Sequence, residues 1–382
     1  MSNISLPKGE LCTGCGACGN ACLTGALKMT ADSEGFLYPK IDNEKCEDCK
    51  ACEKACPTGK ISFSENEPKA YYAYSKDKEI LRSSSSGGVF THLAEYILSQ
   101  NGAVVGACLD ENQKVCHIVV ESKDDLYKLR TSKYVQSDTK AVYKRTKELL
   151  NNDRKVLFTG TPCQTAALRQ YLSKDYDNLY IQDIICHGVP SPGVWKKYLS
   201  QTQKGKEIKS ISFRDKTQGW GKYSIKFSYR NGEEFCELAA KNSYLMAFSS
   251  NLSLRPSCYN CRYKGLGRVS DITLADYWGV YTVHPELTDV NGTSLIFTHT
   301  AKGEEIFSSV MEKLIFGETE CRKSILHNPS AVTSVPMNRK RDTFFKNLDN
   351  TPFDLLVTKL TKVSFVGRVF NVIYRLKKKS SR

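Results

Sequence analysis

Apolar positions along this chain recur at two spacings, and the alternation between them outlines its architecture. Val89, Leu93, Tyr96 and Ile97 fall on one helical face, which predicts a helix opening at Ser86-Gly87-Gly88. Before it, residues 61–75 read as an extended linker running into a first strand. After it, residues 102–109 and 117–121 read as two paired strands. Lys155 to Phe158 is then a strand, Gly160-Thr161-Pro162-Cys163 a tight loop and Gln164 to Leu172 a helix. Leu179 to Ile185 is a strand ending in Cys186-His187-Gly188, with a helix from near Pro190 to Leu199. Strand, loop and helix repeated in this way predict a parallel sheet with ligands at the carboxyl ends of its strands. A β-rich stretch follows, with a strand from Ile211 to Asp215 and a hairpin turning at Asn231-Gly232. The pattern then gives strands ending at Asp276 and spanning Thr293 to Thr300, and an amphipathic helix over 304–316.

The fold class predicted is α+β / α/β: a small head, then a larger α/β domain with a mixed sheet and a β-rich insertion. The expected boundaries are 1–65 for the head, 68–150 and 151–330 for the two parts of the larger domain, and 331–382 for a basic tail. Within the tail an amphipathic helix is expected near 354–378, with Leu356, Leu360, Val363, Phe370 and Tyr374 on one face. A basic amphipathic helix can lie on an anionic membrane surface or pack on its parent domain, and both readings are open.

At 382 residues, with 25% charged and 40% hydrophobic side chains, the composition is that of a globular protein of two or three domains. The N-terminus is polar, and no run approaches the roughly eighteen apolar residues of a membrane helix. With sixteen cysteines and no secretory signature, the expected location is a reducing cytoplasm, the basic tail being suited to the inner face of the membrane. The formal net charge of +14 suits an acidic cofactor, an acidic partner or an anionic surface. No nucleic-acid motif accompanies it.

Half of the cysteines carry a pattern. Cys12, Cys15, Cys18 and Cys22 are spaced C-x2-C-x2-C-x3-C, and Cys46, Cys49, Cys52 and Cys56 repeat the spacing, followed by Pro57. This is the arrangement of two-cluster bacterial ferredoxins, in which the fourth cysteine of each run ligates the other run's cluster. One 4Fe–4S cubane is assigned to Cys12, Cys15, Cys18 and Cys56, the other to Cys46, Cys49, Cys52 and Cys22. Gly14, Gly16 and Gly19 let the loop turn and its amides face sulfur. A zinc site would leave cysteines over, and a disulfide set does not explain the doubled spacing. Leu23 stands after Cys22 where a proline usually does.

Cys163, Cys186, Cys258 and Cys261 all lie in predicted loops and are the complement of one more cluster. Spacing alone leaves half of a zinc site open, and Cys163 near a helix start could be a low-pKa redox thiol. Cys108, Cys116, Cys236 and Cys321 read as core residues. The small, glycine-bearing helix start at Ser86 suits an anion or is an ordinary cap. His187 is open between a ligand-orienting and a structural role.

The stretches SSGGVFTHLAEYIL, TSKYVQS, VLFTGTPCQTAALRQYL, ICHGVPSPGVW, FRDKTQGW, LRPSCYNCRYK and DITLADYWG resemble the coenzyme F420 hydrogenase/dehydrogenase beta-subunit family over about residues 70–330. A ferredoxin-like head also occurs in that family. The resemblance implies FAD, a cluster on Cys163, Cys186, Cys258 and Cys261, and hydride exchange with an 8-hydroxy-5-deazaflavin, coenzyme F420. Ser86, Gly87, Gly88, Lys133, Gly160, Thr161 and His187 are its flavin-binding candidates. The Arg255–Arg268 loop would suit the coenzyme's acidic tail. The function expected is that of an iron–sulfur flavoprotein oxidoreductase, passing electrons between a small-molecule hydride carrier and a redox partner protein or ferredoxin. No catalytic side chain is expected, since cofactors carry the chemistry. The alternatives are a non-catalytic electron-transfer subunit and an interaction protein of a polysaccharide biosynthetic cluster.

Overall fold

Alternation decides how the central strands are buried. Val104 packs on one face of the sheet while Ala103 and Val105 pack on the other; Leu157 and Tyr180 are likewise opposed to Phe158 and Ile181. A strand apolar on both faces must be covered on both. The computed structural model, which describes residues 3–287 and 291–362, has helices on each side. Val89–Ser99 and Ala301–Ser308 cover one face, Val142–Asn151 and Pro162–Leu172 the other.

The strands in chain order are β1 (Leu27–Ala31), β2 (Leu37–Ile41), β3 (Lys69–Ser75), β4 (Ala103–Leu109), β5 (Val115–Val120), β6 (Val156–Thr159) and β7 (Leu179–Ile184). They continue with β8 (Ile208–Asp215), β9 (Ser224–Tyr229), β10 (Glu234–Leu238), β11 (Ile272–Asp276), β12 (Ser294–Thr298) and β13 (Leu314–Glu318). Eight form the main sheet in the order β13-β3-β12-β11-β7-β6-β4-β5. Its middle, β11-β7-β6-β4, is parallel, and antiparallel strands flank it on both sides. The fold is therefore mixed α/β, with the carboxyl ends of β6, β7 and β11 side by side. The β-rich insertion is a separate antiparallel sheet, β10-β9-β8. It shares a second core with the helices Pro192–Gln203, Ser243–Ser249 and Phe353–Thr361.

Two expectations are corrected. Residues 304–316 are not one helix: it ends at Ser308, and after a short turn Leu314 to Glu318 pair with β3 as an edge strand. Helical spacing could not register that pairing, which is made to a strand over two hundred residues away. Cys236 is exposed, whereas Cys108, Cys116 and Cys321 are buried as expected. It lies on β10, the outer strand of a three-stranded sheet, where one face meets solvent. Of the tail helix, Phe353–Thr361 is described, with Phe353, Leu356 and Val357 buried against the body; the part expected from 363 to 378 lies outside the described residues. Among the described residues no helix is long and apolar enough to cross a membrane.

The head consists of the β1–β2 hairpin and two short helices, Ala17–Ala21 and Ala51–Ala55. It is docked on the body by side chains that reach its cysteine loop. Gln136 Nε2 donates to Thr13 O at 3.0 Å, and Thr139 Oγ1 and Tyr143 OH donate to Cys15 O at 3.0 and 2.9 Å. Arg341 forks onto the Glu34 carboxylate, with Nη1 to Oε1 at 2.8 Å. Gly14 and Gly16 have φ of +66° and +78°, and a Cβ on Gly16 would stand 2.2 Å from Thr139 Oγ1. These two glycines answer both a turn and a close approach; Gly19, inside a helix, answers neither.

Candidate redox site

The thiols of Cys12, Cys15, Cys18 and Cys56 are electrostatic neighbours, as are those of Cys22 and Cys52. Burial, reinforced by the other thiolates, pushes Cys15 up to about 11 and Cys18 further. Buried thiols that repel one another's ionisation suit a cationic centre, which the bound iron would supply. Cys22 behaves differently. Burial raises it, but hydrogen bonds from Thr24 Oγ1 and from Leu27 N at 3.3 Å outweigh burial and hold it below the ordinary thiol value. Cys46 is half-buried and Cys49 exposed, so this end of the head faces solvent.

Cys163, Cys186, Cys258 and Cys261 come from three separate segments, Cys163 from the first turn of a helix and not from the loop expected, and line one small cavity with Thr13, Tyr263 and Lys264. Cys163 is the second residue of the helix Pro162–Leu172, which Thr161 and Gln164 cap reciprocally. Cys186 follows the end of β7. Burial dominates here too, pushing Cys186 to about 11, Cys258 to about 12 and Cys163 well up. A low-pKa redox thiol at Cys163 is therefore not what the surroundings favour. Sulfur hydrogen bonds are in place: Val189 N to Cys258 Sγ at 3.4 Å, and Thr161 Oγ1 with Cys163 Sγ at 3.2 Å. Tyr263 is buried beside Cys163 and Cys261 and also feels Cys15 and Cys56; Tyr143 lies between Cys15 and Cys163. Both tyrosines bridge the head and this second cysteine set. Sequence spacing marked neither.

Along the ends of the parallel strands lies a cavity of about 960 Å³. Thr13, Cys163, Cys186, His187, Gly188 and Val189 border it and the four-cysteine cavity alike. Of the flavin-binding candidates, Ser86, Gly88, Lys133, Gly160, Thr161 and His187 line it, and Gly87 does not. Gly87 is instead held by the sheet, its N–H donating to Ser294 Oγ at 3.0 Å. Gly88, at φ +87°, caps the helix Val89–Ser99. Lys133 reaches back to the carbonyls of Lys128 and Arg130 at 3.0 and 2.6 Å, and burial lowers it to about 7. Its ammonium is thus already used in closing its own loop. His187 bonds Asn251 Oδ1 at 2.7 Å, and burial keeps its pKa below the ordinary histidine value. Three side chains on the wall keep buried polar atoms without partners: Arg130 Nε, Gln182 Oε1, and Arg214 Nε and Nη2. A cavity of this size with unmet polar atoms fits a large polar ligand. The Arg255–Arg268 loop does not present its arginines to it. Arg255 and Arg268 are buried and bonded to backbone carbonyls.

His117, on the same wall, sits between Ser137 Oγ at 2.7 Å and Thr159 O at 3.1 Å, and burial lowers it to about 4. The unfolded histidine takes its proton near 6.5 and the folded one only near 4. Stability present above 6.5 therefore drains as pH falls toward 4. From pH 6.5 to 5 the expected loss from this residue is about 2 kcal/mol. Urea unfolding of wild type and H117N at the two pH values checks it; equal losses would refute it.

The N-terminal model of the coenzyme F420 hydrogenase/dehydrogenase beta subunit matches residues 70–144, and the C-terminal model residues 153–323. A 4Fe-4S dicluster domain matches residues 11–60. Among solved structures, a chain of the xenon-derivatized F420-reducing [NiFe] hydrogenase complex from Methanosarcina barkeri is 18% identical. The match covers 78% of this chain and 94% of that one, with a TM-score of 0.46. No curated protein matches. With both halves of one beta subunit matched in chain order behind a dicluster module, the chain belongs to the coenzyme F420 hydrogenase/dehydrogenase beta-subunit family and carries an iron–sulfur domain ahead of it.

Proposed function

We propose that this protein is an iron–sulfur flavoprotein that exchanges electrons between a small-molecule hydride carrier of the deazaflavin type and a one-electron partner protein. One observation carries the reading. The four-cysteine cavity shares a wall with the large cavity on one side, and Tyr263 and Tyr143 join it to Cys15 of the head on the other. Four redox positions in series, the large cavity, the four-cysteine set, the cluster site at Cys15 and the one at the exposed Cys49, make a route to the surface.

In this reading Cys12, Cys15, Cys18 and Cys56 hold one 4Fe–4S cluster and Cys22, Cys46, Cys49 and Cys52 another. Cys163, Cys186, Cys258 and Cys261 hold a third. The large cavity takes FAD, whose phosphates suit the start of the Val89–Ser99 helix and Arg130, whose Nε has no partner although Nη2 faces Glu95 at 4.0 Å, rather than Lys133. Bound there, a flavin supplies the exchange between two-electron and one-electron carriers that neither end can make alone. The residues do the rest: Thr161 and Val189 bond the cluster thiolates, and His187, held by Asn251, shapes the wall between the two cavities.

The test is iron, zinc and flavin per chain after anaerobic purification and reconstitution. About twelve irons with one flavin and no zinc are expected, since each cubane carries four. Eight irons and no flavin would overturn the reading in favour of a ferredoxin-like electron-transfer subunit.

A further inference from the structure

Arg214, on β8, is 3% exposed. Its Nη1 is taken by the Asp276 carboxylate at the end of β11. The guanidinium lies over the rings of Tyr223 at 4.4 Å and Trp278 at 4.9 Å. Trp278 stacks on Trp220 at 5.1 Å, with planes 6° apart. Arg214, Tyr223, Asp276 and Trp278 all line the large cavity. The Nε and Nη2 donors of Arg214 have no partner, and neither does the neighbouring Trp220 Nε1. The Tyr134 hydroxyl interacts with the guanidinium, at a geometry that leaves Nε and Nη2 outside a formed hydrogen bond. The contrast with the chain's other buried arginines is plain, since Arg255, Arg268 and Arg341 each spend their donors on carbonyls, amides or carboxylates.

We propose that Arg214 is the residue by which the large cavity reads a planar anionic edge carrying two adjacent acceptors. Nε and Nη2 form the side-on fork of a guanidinium, the geometry that pairs with such an edge. Asp276 and the aromatic rings fix the plane of that fork, so little ordering remains to be done on binding. Two sources offer the chemistry: the N1–C2=O edge of a flavin's pyrimidine ring, and a carboxylate of the hydride carrier. The first source rests on the flavin reading above; the second does not.

The experiment titrates the anaerobically reconstituted full chain with FAD, with riboflavin (the ring without phosphates) and with glutarate (carboxylates alone), following tryptophan fluorescence. Wild type, R214K and R214Q are compared, each checked for unchanged cluster absorbance. Lysine keeps a cation for Asp276 but loses the fork, separating ion-pair support of the fold from ligand reading. Riboflavin affinity falling at least about tenfold in R214K supports the flavin source. A glutarate affinity that falls while riboflavin holds supports the carboxylate source, even if no flavin binds at all. If wild type binds FAD but neither R214K nor R214Q changes riboflavin or glutarate affinity, the assignment of Arg214 is overturned and the flavin reading stands. If wild type binds none of the three, both fall.

Discussion

Replacing Cys258 with alanine is expected to lower iron from about twelve to about eight atoms per chain and to leave flavin binding in place. Cys258 lies where Val189 N donates to its sulfur, in the short turn Pro256–Cys258 that follows the buried Arg255. The cavity it lines shares Thr13, Cys163, Cys186 and Val189 with the large cavity, and in the proposed route its cluster carries electrons between the flavin and the head. Loss of the ligand should therefore interrupt transfer between the two. The expected effect exceeds the 10–100-fold that removing an outer-shell partner typically brings. Iron analysis, spin quantitation of the reduced protein and the rate of flavin-to-head transfer read it out. Cys236→Ala, at an exposed position on β10, serves as the control and should change nothing. Unchanged iron in C258A, or zinc in its place, would remove the third cluster from the mechanism.

What could be read from the sequence depended on how local the information was. The eight head cysteines sit within forty-five consecutive residues, and their spacing alone implies convergence. Cys163, Cys186 and the Cys258–Cys261 pair arrive from three distant segments; their type and setting suggested one cluster but left zinc open, and the family motifs pointed to the cluster. The strand ends carrying Cys163, Cys186 and Asp276 were legible because each follows a short apolar run with a glycine or turn behind it. Tyr143, Tyr263 and Arg214 were not, because what distinguishes them is a partner more than sixty residues away or the lack of one. Lys133 was legible as a basic loop residue and lines the cavity, but the sequence did not show that its ammonium reaches the Lys128 and Arg130 carbonyls three to five residues away. Helical spacing over 304–316 failed for a related reason, since β3 offers Leu314 to Glu318 a ladder of backbone bonds that periodicity cannot register.

Arg255→Met is expected to destabilise the protein by about 3 kcal/mol and to lower the reduction potential of the head cluster nearest the body. Arg255 is wholly buried. Its Nε donates to Cys12 O at 2.9 Å, Nη1 to Gln136 Oε1 at 3.0 Å, and Nη2 to Cys12 Sγ at 3.7 Å. Its guanidinium stands 4.1 Å over Tyr38 and 5.5 Å over Phe36, both in the head. Methionine approximates the volume and makes none of these bonds. Hydrogen bonds from a charged donor contribute about 1.5–3 kcal/mol each, and the acceptors left behind stay buried. The sulfur bond adds the electrochemical consequence: a cation and an N–H donor beside Cys12 stabilise the reduced, more negative cluster, so removing both must shift the potential downward. Gly14→Ala should reproduce part of this from the other side. A Cβ there would lie 2.6 Å from Arg255 Nη1, on a backbone at φ +66°, and would displace the guanidinium while leaving Arg255 in the sequence. Chemical unfolding and a potentiometric titration followed by electron paramagnetic resonance measure the two effects. A variant that loses stability at an unchanged potential would show that Arg255 fastens the head without tuning its cluster. An unchanged stability would mean that the other head contacts, Tyr143 and Arg341 among them, suffice without it.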